Sequence, residues 1–425
     1  MITAEDIRQQ TTLPPESPDD GDAGRRQRGM AIASLVPIQK RKSGFRVPSQ
    51  SGHGSYFVIP DAWDPYCSCE DFETNLAKCK HIYAVEFLLH QDLIPKWRYT
   101  NTKVDRPTRG QNWPAYNRAQ AYEKEHFVRL LWELCDSVPQ PPQSAGRPRL
   151  LLSDVVFGIG LKVYSTLSGR RALSSIRDAE AQGLVGRAPS FTSLFRYLED
   201  ASITPILKTL VERSALPLRS IETDFAVDSS GFSTSVFDRW FDHSYGRQRR
   251  VGKWLKCHLI CGVHTNIVTS VEVTPTVTAD TIYLEPLVQA TARNFDISEV
   301  SADKAYLSRK NLRVIDEVGA TPFIPFKSKS RSHEAHEVLW NRMFHFYNLH
   351  RAEFLAHYHK RSNVETTFSM IKAKFGAAVR TRTPVAQVNE VLAKVLCHNI
   401  CVLIQSAYEL GVGEVFTLSP LGVDA

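Results

Sequence analysis

The feature that most restricts this chain is a change of hydrophobic rhythm at Ile221, where helical spacing gives way to short apolar runs alternating with helices. Phe225 to Val227 is a short strand-like run ending at Asp228, while Trp254 to Val263 and Ile267 to Thr274 read as a hairpin across His264-Thr265-Asn266. A helix from about Thr281 to Asn294 leads to a strand ending near Asp303. A second helix, Ser308 to Val318, leads to the apolar run Ala320 to Phe326, and a long helical region covers Leu339 to Gly376. Three strands, helix, strand, helix, strand and helices specify an α/β domain with a mixed sheet of α+β character.

Before Ile221 the chain reads in pieces. Residues 11 to 30 are rich in Pro, Asp, Gly and Arg, with little apolar surface to offset ordering, so 1–30 is expected to be a disordered arm. A small compact domain is expected over 31–94. From 95 to 149 a Pro-, Arg- and Asn-containing stretch precedes a helix over 117–135, with Phe127, Leu130, Leu131 and Leu134 on one side, and then a linker ending at Arg149. Helical spacing continues over 150–216, with Ser190 placed as an N-cap; this region is either a DNA-binding module or a brace for the next domain. The mixed-sheet domain is expected over 217–410, with a tail from 411 to 425.

Eight cysteines in 425 residues do not make a disulfide framework, and clustered thiols in a reducing compartment more often bind metal. Cys67-Ser-Cys69, nine residues, then Cys79-Lys-His81 supplies four ligands of the right type for one tetrahedral zinc, closed and therefore structural. His81 falls where the apolar helix Ile82 to Leu89 begins. The pattern C-x-C-x9-C-x-H, preceded by Tyr56-Phe-Val and followed by Ile82-Tyr-Ala-Val, resembles the SWIM zinc finger over about residues 50 to 90. The resemblance implies a DNA- or protein-binding accessory. Cys257 and Cys261 lie in a strand-like run and Cys397 and Cys401 on an apolar helix, where core packing accounts for them.

The net charge of +7 favours polyanionic partners, and its distribution points the same way. Arg247, Arg249, Arg250, Lys253 and Lys256 stand together with no acid among them, and between Lys327 and Arg382 eleven Lys or Arg face only Glu334, Glu337, Glu353 and Glu365. That pattern suits a phosphate-facing groove. No leader-like apolar stretch opens the chain and no run reaches the roughly 18 apolar residues of a membrane helix, so a cytoplasmic, nucleoid-associated protein without a membrane partner is expected.

In-line cleavage of a phosphodiester requires both the attacking and the leaving oxygen to be stabilised, work that suits two magnesium or manganese ions held by a few carboxylates from separate elements. Asp228 is followed by Ser-Ser-Gly, which lets substrate approach the backbone, and Asp303 ends the later strand in Val300-Ser-Ala-Asp303. Glu365 lies on the long helix. In a ribonuclease-H-like sheet the first and fourth strands are neighbours, so the three acids can meet. Asp280 competes, but Thr278-Ala-Asp280-Thr281 ahead of a helix reads as an N-terminal cap, and Asp224 lacks the small residues that follow Asp228. Tyr358, Arg361, Glu365 and Lys372 follow Y-x2-R-x3-E-x6-K, which on one α-helix confines all four to an arc of roughly 60°.

That spacing, with the segments AVDSSGF, SADKAYLS and HKRSNVETTFSMIKAKFG, resembles the insertion-sequence DDE transposases over roughly residues 150 to 405, departing at Leu307, where a small or acidic residue is common. The resemblance implies a ribonuclease-H-like catalytic domain, metal ligation by Asp228, Asp303 and Glu365, and contacts to transposon-end DNA by Tyr358, Arg361 and Lys372. It implies double-stranded DNA, both transposon ends and target, as partner, and a homodimer assembled on it. Two other functions share these residues: a catalytically silent DNA-binding regulator, and a ribonuclease-H-like nuclease without strand transfer.

Overall fold

The computed structural model describes residues 20–35, 37–41, 43–49, 54–61, 64–89, 112–143, 146, 148–234, 254–275, 278–327, 330 and 338–413. In chain order the elements begin α1 (Asp20–Leu35), β1 (Gln39–Arg41), β2 (Gly44–Pro48), β3 (Ser55–Ile59), β4 (Tyr66–Cys67), α2 (Glu70–Asn75) and α3 (Lys80–Leu89). A helical run comes next: α4 (Trp113–Asp136), α5 (Leu152–Tyr164), α6 (Gly169–Ala181), α7 (Phe191–Leu198) and α8 (Ile203–Ala215). It leads to β5 (Asp224–Ser233), β6 (Trp254–Gly262), β7 (Val268–Pro275), α9 (Leu284–Ala292), β8 (Glu299–Ala302), α10 (Arg309–Glu317) and β9 (Thr321–Phe323). The last are α11 (Val338–Leu349), α12 (Arg351–Tyr358), α13 (Ser362–Phe375) and α14 (Pro384–Leu410).

These elements divide into two compact units, Met1–Arg106 with Leu307–His359, and Pro107–Tyr306 with Lys360–Ala425. By packing, Leu307–His359 groups with the N-terminal residues, α11 lying against α1.

In the first unit β1 to β4 form an antiparallel meander covered by α3. Residues 20–30, expected to be disordered, are helical. The composition is poor in apolar residues, but α1 needs few of them. Ile32 is fully buried in a core with Val47, Val58, Ile82 and Val85, and Arg25 pairs with Asp71 at 3.0 Å. A Cβ on Gly29 would stand 2.5 Å from that of Tyr83, so only glycine lets α1 approach α3 this closely. In the Leu307–His359 segment Ser308 caps α10 through the amide of Asn311 (3.0 Å), and Phe323 of β9 stacks on His357 at 4.4 Å.

In the second unit the strands run β7-β6-β5-β8. The β5–β6 and β6–β7 pairs are antiparallel and β5–β8 is parallel, so the first and fourth strands lie side by side as a ribonuclease-H-like sheet requires. The hairpin between β6 and β7 is held by Glu222, which accepts the amides of His264 (3.1 Å) and Thr265 (2.5 Å). The expected helices of 150–216 are α5 to α8, and Ser190 does cap α7, accepting the Ser193 amide at 3.1 Å. Of these helices α5, α7 and α8 pack on α14, and α8 also lies on β7. The helix expected over 117–135 starts earlier, at Trp113, because Asn112 caps it and Pro114 suits its first turn.

Helix α14 is apolar nearly all round and is the spine of this unit. By length and composition it could cross a membrane, but 78% of its most apolar stretch is buried in the structure. Its buried amides tie these helices to the sheet: Asn399 donates to Val211 O (3.2 Å) and Val268 O (2.7 Å), and Asn389 donates to Leu198 O (2.9 Å). Cys397 is buried on it, and Cys257 and Cys261 are buried on β6, as packing residues.

Candidate metal centres

Strand β4 delivers Cys67 and the turn after it delivers Cys69, whose carbonyl accepts the first free amides of α2, from Phe72 and Glu73 (3.0 Å each). Cys79 does the same for α3, accepting the amide of Ile82 (3.1 Å), and His81 is on the first turn of that helix. Two helix starts and one strand end thus converge. The donor atoms of Cys67, Cys69, Cys79 and His81 all lie within 4.8 Å of one another, and all four side chains are buried. His81 Nδ1 is 3.8 Å from the Sγ atoms of both Cys67 and Cys79. Ligands about 2.3 Å from a tetrahedral ion stand about 3.8 Å apart, so three sulfurs and an imidazole here fit zinc. The hydrogen bond with Cys67, against burial and helped by that with His81, holds the Cys79 thiol below its usual range, while the same contact and burial push Cys67 up.

The second centre is built on the β5–β8 pair. The parallel register ends with Val227 beside Ala302, so Asp228 within β5 and Asp303 just after β8 come next along the two chains. Asp228 Oδ1 accepts the Ser229 amide (2.8 Å), and its Oδ2 accepts Arg361 Nη1 (2.5 Å). The other arm of the same guanidinium, Nη2, reaches Glu365 Oε1 at 2.5 Å. Asp303 Oδ1 accepts the Lys304 amide (2.7 Å) at the start of a short 3-10 turn. Burial pushes the Asp228 carboxyl up and the charges of Asp303 and Glu365 add to this, while the Ser229 amide and Arg361 oppose it. Among the described residues the three carboxylates are not gathered as tightly as the sulfur site; Arg361 stands between two of them.

Residues 219–400 match the family model of the transposase DDE domain, and residues 58–90 that of the SWIM zinc finger. The chain carries a transposase DDE domain. No curated protein and no solved structure matches it.

Within the DDE domain three local expectations are corrected. Asp228 does not end a strand: β5 continues to Ser233, because its second half pairs with β6 through Ser233↔Trp254. The four-residue helical face is broken. Tyr358 closes α12 in the first unit, His359–Arg361 form a 3-10 turn, and α13 begins only at Ser362. Consecutive α-helical side chains point about 100° apart, whereas Lys360 and Arg361 both reach the sheet. Asp280 makes no cap; its Oδ1 takes Lys256 Nζ (2.6 Å) and Ser229 Oγ (2.9 Å) and stands 3.3 Å from the buried His258.

Lys372 faces β5, giving its Nζ to Ser230 Oγ (2.7 Å) and standing 5.3 Å from the centre of the Phe232 ring. Two features of the site are not legible in the sequence. Lys360 bridges Asp224 (2.7 Å) and Glu299 (2.9 Å), tying the start of α13 to the β5–β8 pair, and Ser229 links the Asp228 backbone to Asp280. The only sequence signal for the first is a second cation beside Arg361. Of the basic run from Arg247 to Lys256, all but Trp254 to Lys256 lies outside the described residues.

Proposed function

We propose that the chain is a DNA transposase that binds transposon ends, cleaves phosphodiester bonds and joins the freed 3′-hydroxyls to target DNA, with Asp228, Asp303 and Glu365 as the ligands of two magnesium or manganese ions. One observation carries this: three acids distant in sequence come to one end of the β5–β8 pair, two of them on a single guanidinium, inside a segment that matches the transposase DDE domain. A set of carboxylate oxygens suits hard divalent ions. When bound, such ions would stabilise the attacking and leaving oxygens together. The protein residues orient and hold: the Ser229 amide fixes one oxygen of Asp228, and the Arg361 guanidinium bridges Asp228 and Glu365 and opposes the burial that pushes the Asp228 carboxyl up. Arg361 and Lys372 are suited to grip phosphates beside the acids, with Tyr358 as a further DNA contact. The SWIM finger serves as a zinc-stabilised accessory to DNA or protein binding, and a homodimer assembled on transposon ends completes the proposal, with a cytoplasmic, nucleoid-associated location.

Asp228→Asn, Asp303→Asn and Glu365→Gln should each abolish cleavage of a DNA carrying the element's terminal repeats, while thermal unfolding and DNA affinity stay near wild type. Near-normal cutting by any one variant removes that residue from the metal site. Cut but unjoined wild-type products would make the chain a nuclease without strand transfer.

A further inference from the structure

Where α5 meets the segment after α13, three cations surround one acid. Lys162 on α5 is only 5% exposed, and among the described residues its ammonium has no hydrogen bond or ion pair. It lines a small cavity with Thr166, Arg380, Glu390 and Lys394. Two of these neighbours are already committed. Lys394 gives its Nζ to the carbonyls of Gly376 (2.9 Å) and Ala378 (2.7 Å), and Glu390 accepts the amides of Arg380 (3.0 Å) and Thr381 (2.9 Å). Arg380, on the surface, donates to the carbonyl of Thr166. One carboxylate therefore faces three cations, so positive charge is left over around the cavity. Burial also lowers the Lys162 and Lys394 ammoniums, the latter to about 8.

Arg380, which lines the cavity, directly follows the segment that pairs with the far end of β5. Ser233, the last residue of β5, bonds to the backbone of Ala377 (3.1 Å) and Val379 (2.8 Å), five residues along the strand from Asp228. At about 3.4 Å per strand residue that is about 17 Å, on the order of five base pairs of duplex DNA. Between the two places the Phe232 ring has Lys372 at 5.3 Å and Lys394 at 5.6 Å. We propose that Lys162 and Arg380, supported by Lys394, form a second phosphate-binding site that holds the DNA backbone away from the scissile position. The inference rests on the proposed transposase function for its ligand, a phosphodiester of duplex DNA.

The test uses the full chain, a mixed-sequence DNA duplex as probe and affinity measured against salt. Lys162→Met and Arg380→Gln should each flatten the slope of log affinity against log salt by about 0.9, one phosphate contact. Lys162→Met should unfold at or above the wild-type temperature, since it removes a buried, uncompensated charge. A wild-type slope in both variants overturns the proposal while leaving the carboxylate site standing, because cleavage is scored separately. If Lys162→Met fails to fold, the exposed Arg380→Gln decides alone. A wild-type chain that binds no duplex at all overturns this site and the transposase function together. A slope unchanged in the variants, with inorganic phosphate still protecting only the wild type against heat, would make the cavity a free-anion site and likewise overturn the DNA contact.

Discussion

Arg361 is expected to compete with metal for the carboxylates, and the competition can be measured without DNA. Its guanidinium joins Asp228 and Glu365 at 2.5 Å each, with Arg361 and Asp228 only 19% and 21% exposed but Glu365 61% exposed. A charge-assisted hydrogen bond at the sheltered arm contributes about 1.5–3 kcal/mol, whereas the exposed i,i+4 arm contributes at most about 0.5 kcal/mol. An ion that takes the Asp228 oxygens must therefore displace about 2 kcal/mol of interaction, so Arg361→Gln should bind manganese about 30-fold more tightly than wild type. The assay is a manganese titration of the full chain at neutral pH, followed by the spin resonance of the free ion. Lys372→Gln is the control. It removes a nearby charge that bonds to Ser230 and to no carboxylate, and should change the affinity by less than about threefold. Manganese binding no tighter in Arg361→Gln than in wild type would refute the competition. Equal tightening in both variants would replace it by general charge repulsion.

Purified chain should contain about one zinc, lost in Cys79→Ser or His81→Ala; full zinc in both variants by metal analysis would rule out the four-ligand site. Acid should destabilise the fold well before the carboxylates titrate. Burial pushes His258 and His398 down to about 4 and His345 to about 3, below the ordinary 6.5, so the unfolded chain binds protons that the folded chain excludes. That stability is full above 6.5 and is lost as the pH falls toward 4, each histidine contributing up to about 1.4 kcal/mol per pH unit; a melting temperature flat across this window would contradict it. Gly262→Ala would place a methyl 2.2 Å from Glu222 Cδ, displacing the carboxylate that holds the β6–β7 turn. A loss of about 1–3 kcal/mol in denaturant unfolding is expected, and an unchanged midpoint would mean that the turn does not depend on Glu222.

The linear sequence determined what local chemistry can determine. The C-x-C-x9-C-x-H spacing picked out the four candidate zinc ligands because each pair of donors is held together by a short turn. The alternation after Ile221 specified a mixed sheet, while the place of the fourth strand beside the first was legible only through the likeness to a ribonuclease-H-like sheet. The acids were legible as residue types placed after apolar runs. Their surroundings were not. Asp280 occupies the place of a helix cap in sequence, yet Lys256 and Ser229, on two other strands, offer it stronger partners. The break before α13 has no Pro or Gly to announce it; it arises where Lys360 and Arg361 must both meet carboxylates on β5, a demand that exists only once the sheet has formed. Helix α1 is hidden from the sequence for the same reason: a glycine fitted under Tyr83 and one buried Ile32 order a polar helix, and neither partner is nearby in sequence. Short-range spacing specified ligands and elements, while long-range packing decided which charges face each other.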